Sequence, residues 1–411
     1  MSNVPKLRFP EFTGEWEEKK LYSIFTKITQ RNSDNQNSNV ITNSATEGLV
    51  SQRDYFDKDI ANKDKTDNYF IIKNGDFVYN PRKSSAAPYG PFTQYKLFDD
   101  GIVSPLYLCL RKNNSEVESR YLENYFKTTC WYQYIYENGS SGARHDRVSI
   151  HDDVLLSMPI KVPSKIEQQK IADFLSNVDS IISAETKILN ALQKKKKALM
   201  QKLFSQQLRF KSADGTDFPA WEEKKLITEF PFIRNGFVGV VTDFFTSEID
   251  GIKYIEGTNI HDGKISSSIN LFVTKEFHNT HKNSQLKEND ILMVQSGHVG
   301  ETAVVPKELE NSNCHALIIM SNGGNCSSKY VNYYFQSNKG KKQLSILTTG
   351  STIKHILASD MQKFICPFPC REEQQKIADC LSSMDSLIQT QQKVVTTWQQ
   401  RKKALLQQMF I

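Results

Sequence analysis

From Ile171 onward the apolar positions step by four and three: Ile171, Leu175, Val178 and Ile182, then Leu189, Leu192, Leu199 and Leu203. This heptad seam predicts one long helix, interrupted at Glu185 and Lys196. A second run reads Ile377, Leu381, Met384, Ile388, Val395, Trp398, Leu405 and Met409, interrupted at Gln391 and Lys402. The interruptions fall at equivalent places, as expected if both helices share one partner geometry. Pro163 ends the segment before the first helix, and Ser164-x-x-Glu167 reads as a capping box satisfying two free amide donors. The second helix opens after Pro369 with Cys370 at the cap position, a weaker start. Neither run contains Pro or Gly. A helix of roughly forty residues spans about 60 Å. Neither seam has enough company in its own half of the chain to be buried there. Antiparallel pairing of the two helices is the economical solution; membership of ordinary helical bundles is the other reading.

Ahead of each helix the pattern changes. Short segments rich in Val, Ile, Tyr and Phe lie between Gly, Asn and Asp, and residues 76–79, 106–110, 253–255, 290–294 and 316–320 predict strands of small sheets. Residues 121–136 and 329–343 each predict a helix. The domains before the long helices therefore read as mixed α/β.

The chain repeats itself once. Trp16-Glu-Glu-Lys-Lys-Leu21 recurs letter for letter as Trp221-Glu-Glu-Lys-Lys-Leu226, and Leu7-Arg-Phe9 recurs as Leu208-Arg-Phe210. Glu167-Gln-Gln-Lys-Ile-Ala-Asp173 returns as Glu373-Gln-Gln-Lys-Ile-Ala-Asp379, an offset of 206 (167 to 373), and the match continues without a gap to Phe204 and Phe410. Between these anchors the halves diverge in detail and agree in outline. Gly75-Asp76 sits where Asn289-Asp290 sits, and Tyr121 to Phe126 resembles Tyr330 to Phe335. Two long domains in tandem, rather than a solenoid, follow from a repeat of this length.

Composition changes this picture little. Hydrophobic residues at 38% and charged residues at 24% fit a globular chain. No apolar run approaches the roughly 18 residues needed to cross a bilayer, and the Pro-punctuated N-terminus shows no signal-peptide core. A formal charge of +6 permits a nucleic-acid partner through local patches without demanding one. Seven irregularly spaced cysteines argue against a disulfide framework and fit thiols in a reducing cytoplasm. The basic runs 194–197 and 401–403 read as a solvated face, with contact to DNA or a partner subunit as the alternative.

The loops carry chemistry suited to DNA. One cluster holds Tyr79, Asn80, Arg82, Lys83 and Ser84; another holds Arg144, His145 and Arg147. In the second half, Gln295, Ser296 and His298 follow the strand at 290–294, and Thr349, Ser351, Thr352, Lys354 and His355 mirror the Gly139–Arg147 loop. Arg and Lys match guanine edges, Asn and Gln adenine edges, and hydroxyls and glycine amides can hold phosphates. Any one cluster reads equally well as a solvated loop; recurrence at matching places in both halves is what singles them out.

Several chemistries have no motif. There is no phosphate-binding Walker loop, no Gly-x-Gly cofactor turn after a strand, no zinc-protease helix and no nucleophile elbow. Asn80-Pro81-Arg82 lacks the second proline and aromatic residue of an amino-methyltransferase tetrapeptide, and His278-x-x-His281 lacks a further ligand at metal spacing.

With its duplicated Trp16 and Trp221 segments, twin Glu-Gln-Gln-Lys-Ile-Ala-Asp helices and divergent intervening domains, the chain resembles the specificity subunits of type I restriction–modification systems over essentially its whole length. The resemblance implies an α/β (α+β) fold. Two mixed α/β target-recognition domains, 1–163 and 207–370, would be joined by antiparallel coiled-coil spacer helices, 164–206 and 371–411, in a pseudo-two-fold repeat. It implies a cytoplasmic, non-catalytic protein that recognises a bipartite double-stranded DNA target. The spacer helices and the segments around Trp16 and Trp221 would dock two methyltransferase subunits, with restriction/translocase subunits joining the complex. No cofactor would bind directly; S-adenosylmethionine, ATP and Mg would act through the partners. A stand-alone two-headed DNA-binding regulator is the alternative.

Overall fold

The computed structural model describes residues 4–55, 66–141, 145–350 and 354–411. The chain divides into two compact units, Met1–Thr186 with Lys393–Ile411, and Lys187–Gln392. The fold is mixed α/β, with one architecture present twice.

In the first unit the strands are β1 (Glu17–Lys20), β2 (Phe25–Lys27), β3 (Phe77–Tyr79), β4 (Phe92–Gln94), β5 (Leu108–Lys112) and β6 (Pro159–Val162). The helices are α1 (Ser119–Phe126), α2 (Tyr132–Asn138) and the long α3 (Lys165–Phe204). An antiparallel sheet runs in the order β2-β5-β3-β4, and β1 pairs with β6. In the second unit the strands are β7 (Glu222–Lys225), β8 (Phe232–Asn235), β9 (Ile291–Val294), β10 (Thr302–Val304), β11 (Leu317–Ser321) and β12 (Ile365–Phe368). The helices are α4 (Ser328–Gln336), α5 (Asn338–Leu347) and the long α6 (Arg371–Met409). The sheet order is β8-β11-β9-β10, and β7 pairs with β12, so the topology of the first unit recurs.

The central strands are covered on both faces, which is why their sequences are continuously apolar rather than alternating. Phe77, Tyr79, Leu108 and Leu110 join the helix-side core of the first unit, whereas Val78 and Cys109 join a second cluster with Ile41, Ile72 and Tyr95. Ile291, Met293, Ile318 and Met320 likewise face the helices, and Leu292, Val294, Leu317 and Ile319 face away.

Two single helices expected from the pattern are each broken in two. Residues 121–136 divide because Thr128 turns its hydroxyl to the Tyr125 carbonyl and the Trp131 indole donates to the Phe126 carbonyl, which closes α1 and starts α2. Residues 329–343 divide at Ser337, whose hydroxyl accepts from the Gly340 amide and caps α5. A Cβ on Gly340 would lie 2.0 Å from the Tyr334 carbonyl oxygen, so only glycine lets α5 fold back this closely on α4.

The long helices pair antiparallel within each unit. In the first, Ile171 and Leu175 of α3 share a core with Leu406, Met409 and Phe410, and Asp179 meets Lys402. In the second, Leu203 and Phe204 share a core with Ile377 and Leu381, and Lys196 meets Asp385 at 2.6 Å. Lys196 and Lys402 thus depart from the solvated face expected of their basic runs: each is drawn inward by a carboxylate on the facing helix. Val178, Leu189, Met384 and Val395 are buried, while Ile182, Leu192, Leu199, Ile388, Trp398 and Leu405 are half-buried.

Candidate nucleic-acid interface

The invariant parts of the repeat build the frame that carries the loops. Arg8 donates to both carboxylate oxygens of Glu167, at 2.7 and 2.8 Å, and the Trp16 indole donates to the same carboxylate at 3.4 Å. Arg209 and Trp221 repeat this arrangement on Glu373. The expected capping box is therefore half formed: Ser164 accepts from the Glu167 amide at 3.3 Å, but the Glu167 side chain goes to Arg8 and Trp16. The neighbouring glutamine ties in the recognition fold. Gln168 accepts from the Glu118 amide at the start of α1, and Gln374 accepts from the Ser327 amide at the start of α4. Trp16 is buried and Trp221 half-buried, and both indoles pack into this junction.

On that frame the two expected loop clusters of each half come together. In the first unit Arg82 forms an antiparallel bridge with Arg147, the Val148 amide donates to the Pro81 carbonyl, and Lys83 donates its amide to Asp146. In the second unit Ser296 forms the same bridge with His355, and the Ile356 amide donates to the Gln295 carbonyl. Thr349 and His355 exchange both backbone hydrogen bonds, which closes that loop. The structural equivalents are thus Pro81 with Gln295, Arg82 with Ser296, and Arg147 with His355. Arg144, Ser351 and Thr352 lie outside the described residues.

The expected residues are not equivalent in availability. Tyr79 is a core residue, with its hydroxyl donating to the Tyr89 carbonyl and pushed up in pKa by burial. Asn80 is buried, donates to the Asn43 carbonyl and accepts from the Arg82 amide. Both depart from the DNA contact expected of them, because their side chains are spent inside the fold. The Ser84 hydroxyl is exposed and accepts from the Ala87 amide. Arg82 is the most open cation of its loop, at 68% side-chain exposure, with Asp146 3.8 Å away. His145 is exposed at a positive φ of 54°, and Arg147 and Lys83 are half-buried.

In the second unit a cavity of about 460 Å³ opens beside the loops. It is lined by His298, Glu301, Lys341, Ser345, Thr348 and Lys354, among others. The His298 ring stacks on His261 and its Nε2 lies 3.1 Å from the Gly257 carbonyl. Lys341 and Ser345 were missed in the sequence, although the lysine-rich start of α5 just before Thr348 was the available signal. Glu301 tempers the positive charge. Among the described residues no group of His, Cys, Asp and Glu could hold a metal ion, and His278 and His281 are instead packed against Asn313 and Phe277. No described helix is long and apolar enough to cross a membrane.

Two copies of one scaffold that differ at their loops define the class. The family model for type I restriction modification DNA specificity domains matches residues 13–194 and again residues 218–397. The chain belongs to this family of type I restriction–modification specificity subunits. It is similar to the putative type I restriction enzyme MjaX specificity subunit of Methanocaldococcus jannaschii, 27% identical over 307 residues, which span 73% of this chain and 69% of that one. It is also similar to the MjaVIII specificity subunit of the same organism, 25% identical over 74% of this chain and 72% of that one. Two solved structures share the fold. One is a type I restriction–modification S subunit from M. genitalium (TM-score 0.55, 14% identity, 99% of each chain). The other comes from work on complex assembly and conformational transition of the type I R-M system (TM-score 0.57, 16% identity, 95% of this chain and 96% of that one).

Proposed function

We propose that this chain recognises a bipartite, asymmetric double-stranded DNA target, one half-site through the loops of each unit, and catalyses no step itself. The observation that carries the reading is the repeated juxtaposition of Arg82 with Arg147 and of Ser296 with His355 on otherwise matching scaffolds. Matching frames give two heads of one kind; unlike loops give two different sequences to read. Residues 1–163 and 207–370 serve as the heads, and helices 164–206 and 371–411 as the spacer between half-sites. The outer faces of these helices, with the segments around Trp16 and Trp221, dock two methyltransferase subunits. Those subunits bring S-adenosylmethionine, and a restriction/translocase subunit brings ATP and Mg. Adenine must leave the stack to be methylated, and that work falls to the partner.

The test is co-purification with a methyltransferase partner, followed by mapping of methylated positions in DNA exposed to the complex. A split motif, with no methylation by the chain alone, is the expected result. Tight site-specific binding without any association with a methyltransferase would favour a stand-alone regulator. Inserting one heptad into both long helices should lengthen the unspecified gap and leave both half-sites unchanged; an altered half-site with an unaltered gap would contradict the spacer role.

A further inference from the structure

We infer that Gln295 reads an adenine in the half-site served by the second unit, an inference that rests on the proposed DNA recognition. The two loop amides that stand just after equivalent strands, Asn80 and Gln295, have opposite fates. The Asn80 amide is satisfied on both sides, by the Asn43 carbonyl and the Arg82 amide. Gln295 is 7% exposed, yet among the described residues its side-chain amide has no hydrogen-bond partner. Its stem is covered while its polar end keeps an opening to solvent. With its stem held in the fold and no protein partner on its polar end, this amide keeps both its donor and its acceptor free for a ligand, where Asn80 has spent them.

The surroundings specify what that ligand is. The Gln295 carbonyl is fixed by the Ile356 amide, and the next residue, Ser296, is bridged to His355, so the backbone at this position is held from the facing loop. A carboxamide on a fixed backbone offers one donor and one acceptor side by side. Adenine presents the complementary pair in the major groove, its N7 acceptor and N6 amine donor. His298, Lys341 and Lys354 line the adjoining cavity and can take the flanking phosphates. The equivalent position in the first unit is Pro81, which has no amide, so the first half-site carries no adenine requirement from this place.

The experiment uses the full chain assembled with its methyltransferase partner and selects binding sites from randomised duplexes. The wild type should yield an adenine at one position of one half-site. Gln295→Ala should make that position degenerate and leave the other half-site unchanged, with about 5- to 150-fold weaker binding to the selected site. Gln295→Glu keeps the shape, accepts without donating, and should move the preference toward cytosine, whose N4 amine only donates. Replacing the adenine by 7-deazaadenine should weaken the wild type and leave Gln295→Ala unaffected. A split motif untouched by Gln295→Ala, in a variant that melts like wild type, would overturn this inference and leave the proposed function standing. The absence of any split motif from the wild-type complex would overturn both.

Discussion

Lys196 on α3 meets Asp385 on α6, and 206 residues away from each the same pair recurs with partners exchanged, Asp179 on α3 with Lys402 on α6. The two are not equally enclosed. The Lys196–Asp385 side chains are 15% and 14% exposed, and the Tyr333 hydroxyl also donates to Asp385 at 2.6 Å. Asp179 is 47% exposed, and Asn124, at the place of Tyr333, turns to its own helix instead. Removing one member of an enclosed pair strands a charge, whereas an exposed pair contributes little. Asp385→Ala should therefore cost about 3–5 kcal/mol, and Asp179→Ala no more than about 1 kcal/mol, in urea denaturation. Equal effects would mean that enclosure does not set the strength of these pairs.

The Arg8–Glu167 pair leads to a second expectation. The carboxylate is 2% exposed and Arg8 12%. Arg8→Ala leaves Glu167 buried with only the Trp16 indole, at a cost of about 3–5 kcal/mol. Replacing both residues, Arg8→Met with Glu167→Leu, should recover most of that loss, because an apolar pair carries no desolvation penalty. The same comparison on Arg209 and Glu373 checks that the junction acts alike in both units.

Under the proposed function, Arg82 is the base-reading candidate of the first unit, being the more exposed of the two bridged arginines, Arg82 and Arg147. Arg82→Ala should weaken specific binding by about 1–3 kcal/mol and relax one guanine position, measured by competition against single-base variants of the selected site. A uniform loss across all sequences would assign Arg82 to a phosphate instead.

Asp290 stands at the entry to β9, and desolvation raises its pKa despite the Lys287 amide, Ser321 and Arg234. A carboxylate whose folded pKa lies above its unfolded one destabilises the fold when ionised. That penalty is full above the folded value and vanishes below the unfolded one. Asp290→Asn should therefore raise the melting temperature at neutral pH, and the gain should shrink as the pH falls through the acid range. A gain that grows toward low pH would reverse the assignment.

The repeat, the long helices and the two central strands of each four-stranded sheet were legible in the chain because they rest on local periodicity and on residues that recur at a fixed offset, whereas the edge strands Phe25–Lys27, Phe92–Gln94, Phe232–Asn235 and Thr302–Val304 were not. The loops carrying Arg82, Arg147, Ser296 and His355 were legible as recurrences of polar chemistry between elements. What the sequence could not supply was the partner of each polar group. Glu167 looked like half of a local capping box, and its real partner, Arg8, lies 159 residues away. Tyr79 and Asn80 looked like contacts and are spent in the core; Gln295, of the same chemical type as Asn80, is left unspent. The break at Ser337 had a signal, since apolar spacing stops at Phe335 and resumes only at Leu344, but the cap itself forms when the Ser337 hydroxyl accepts from the Gly340 amide. Periodicity records which face of an element is buried, but the pairing of donors, acceptors and charges is decided when distant segments pack. That is a property of the tertiary structure alone.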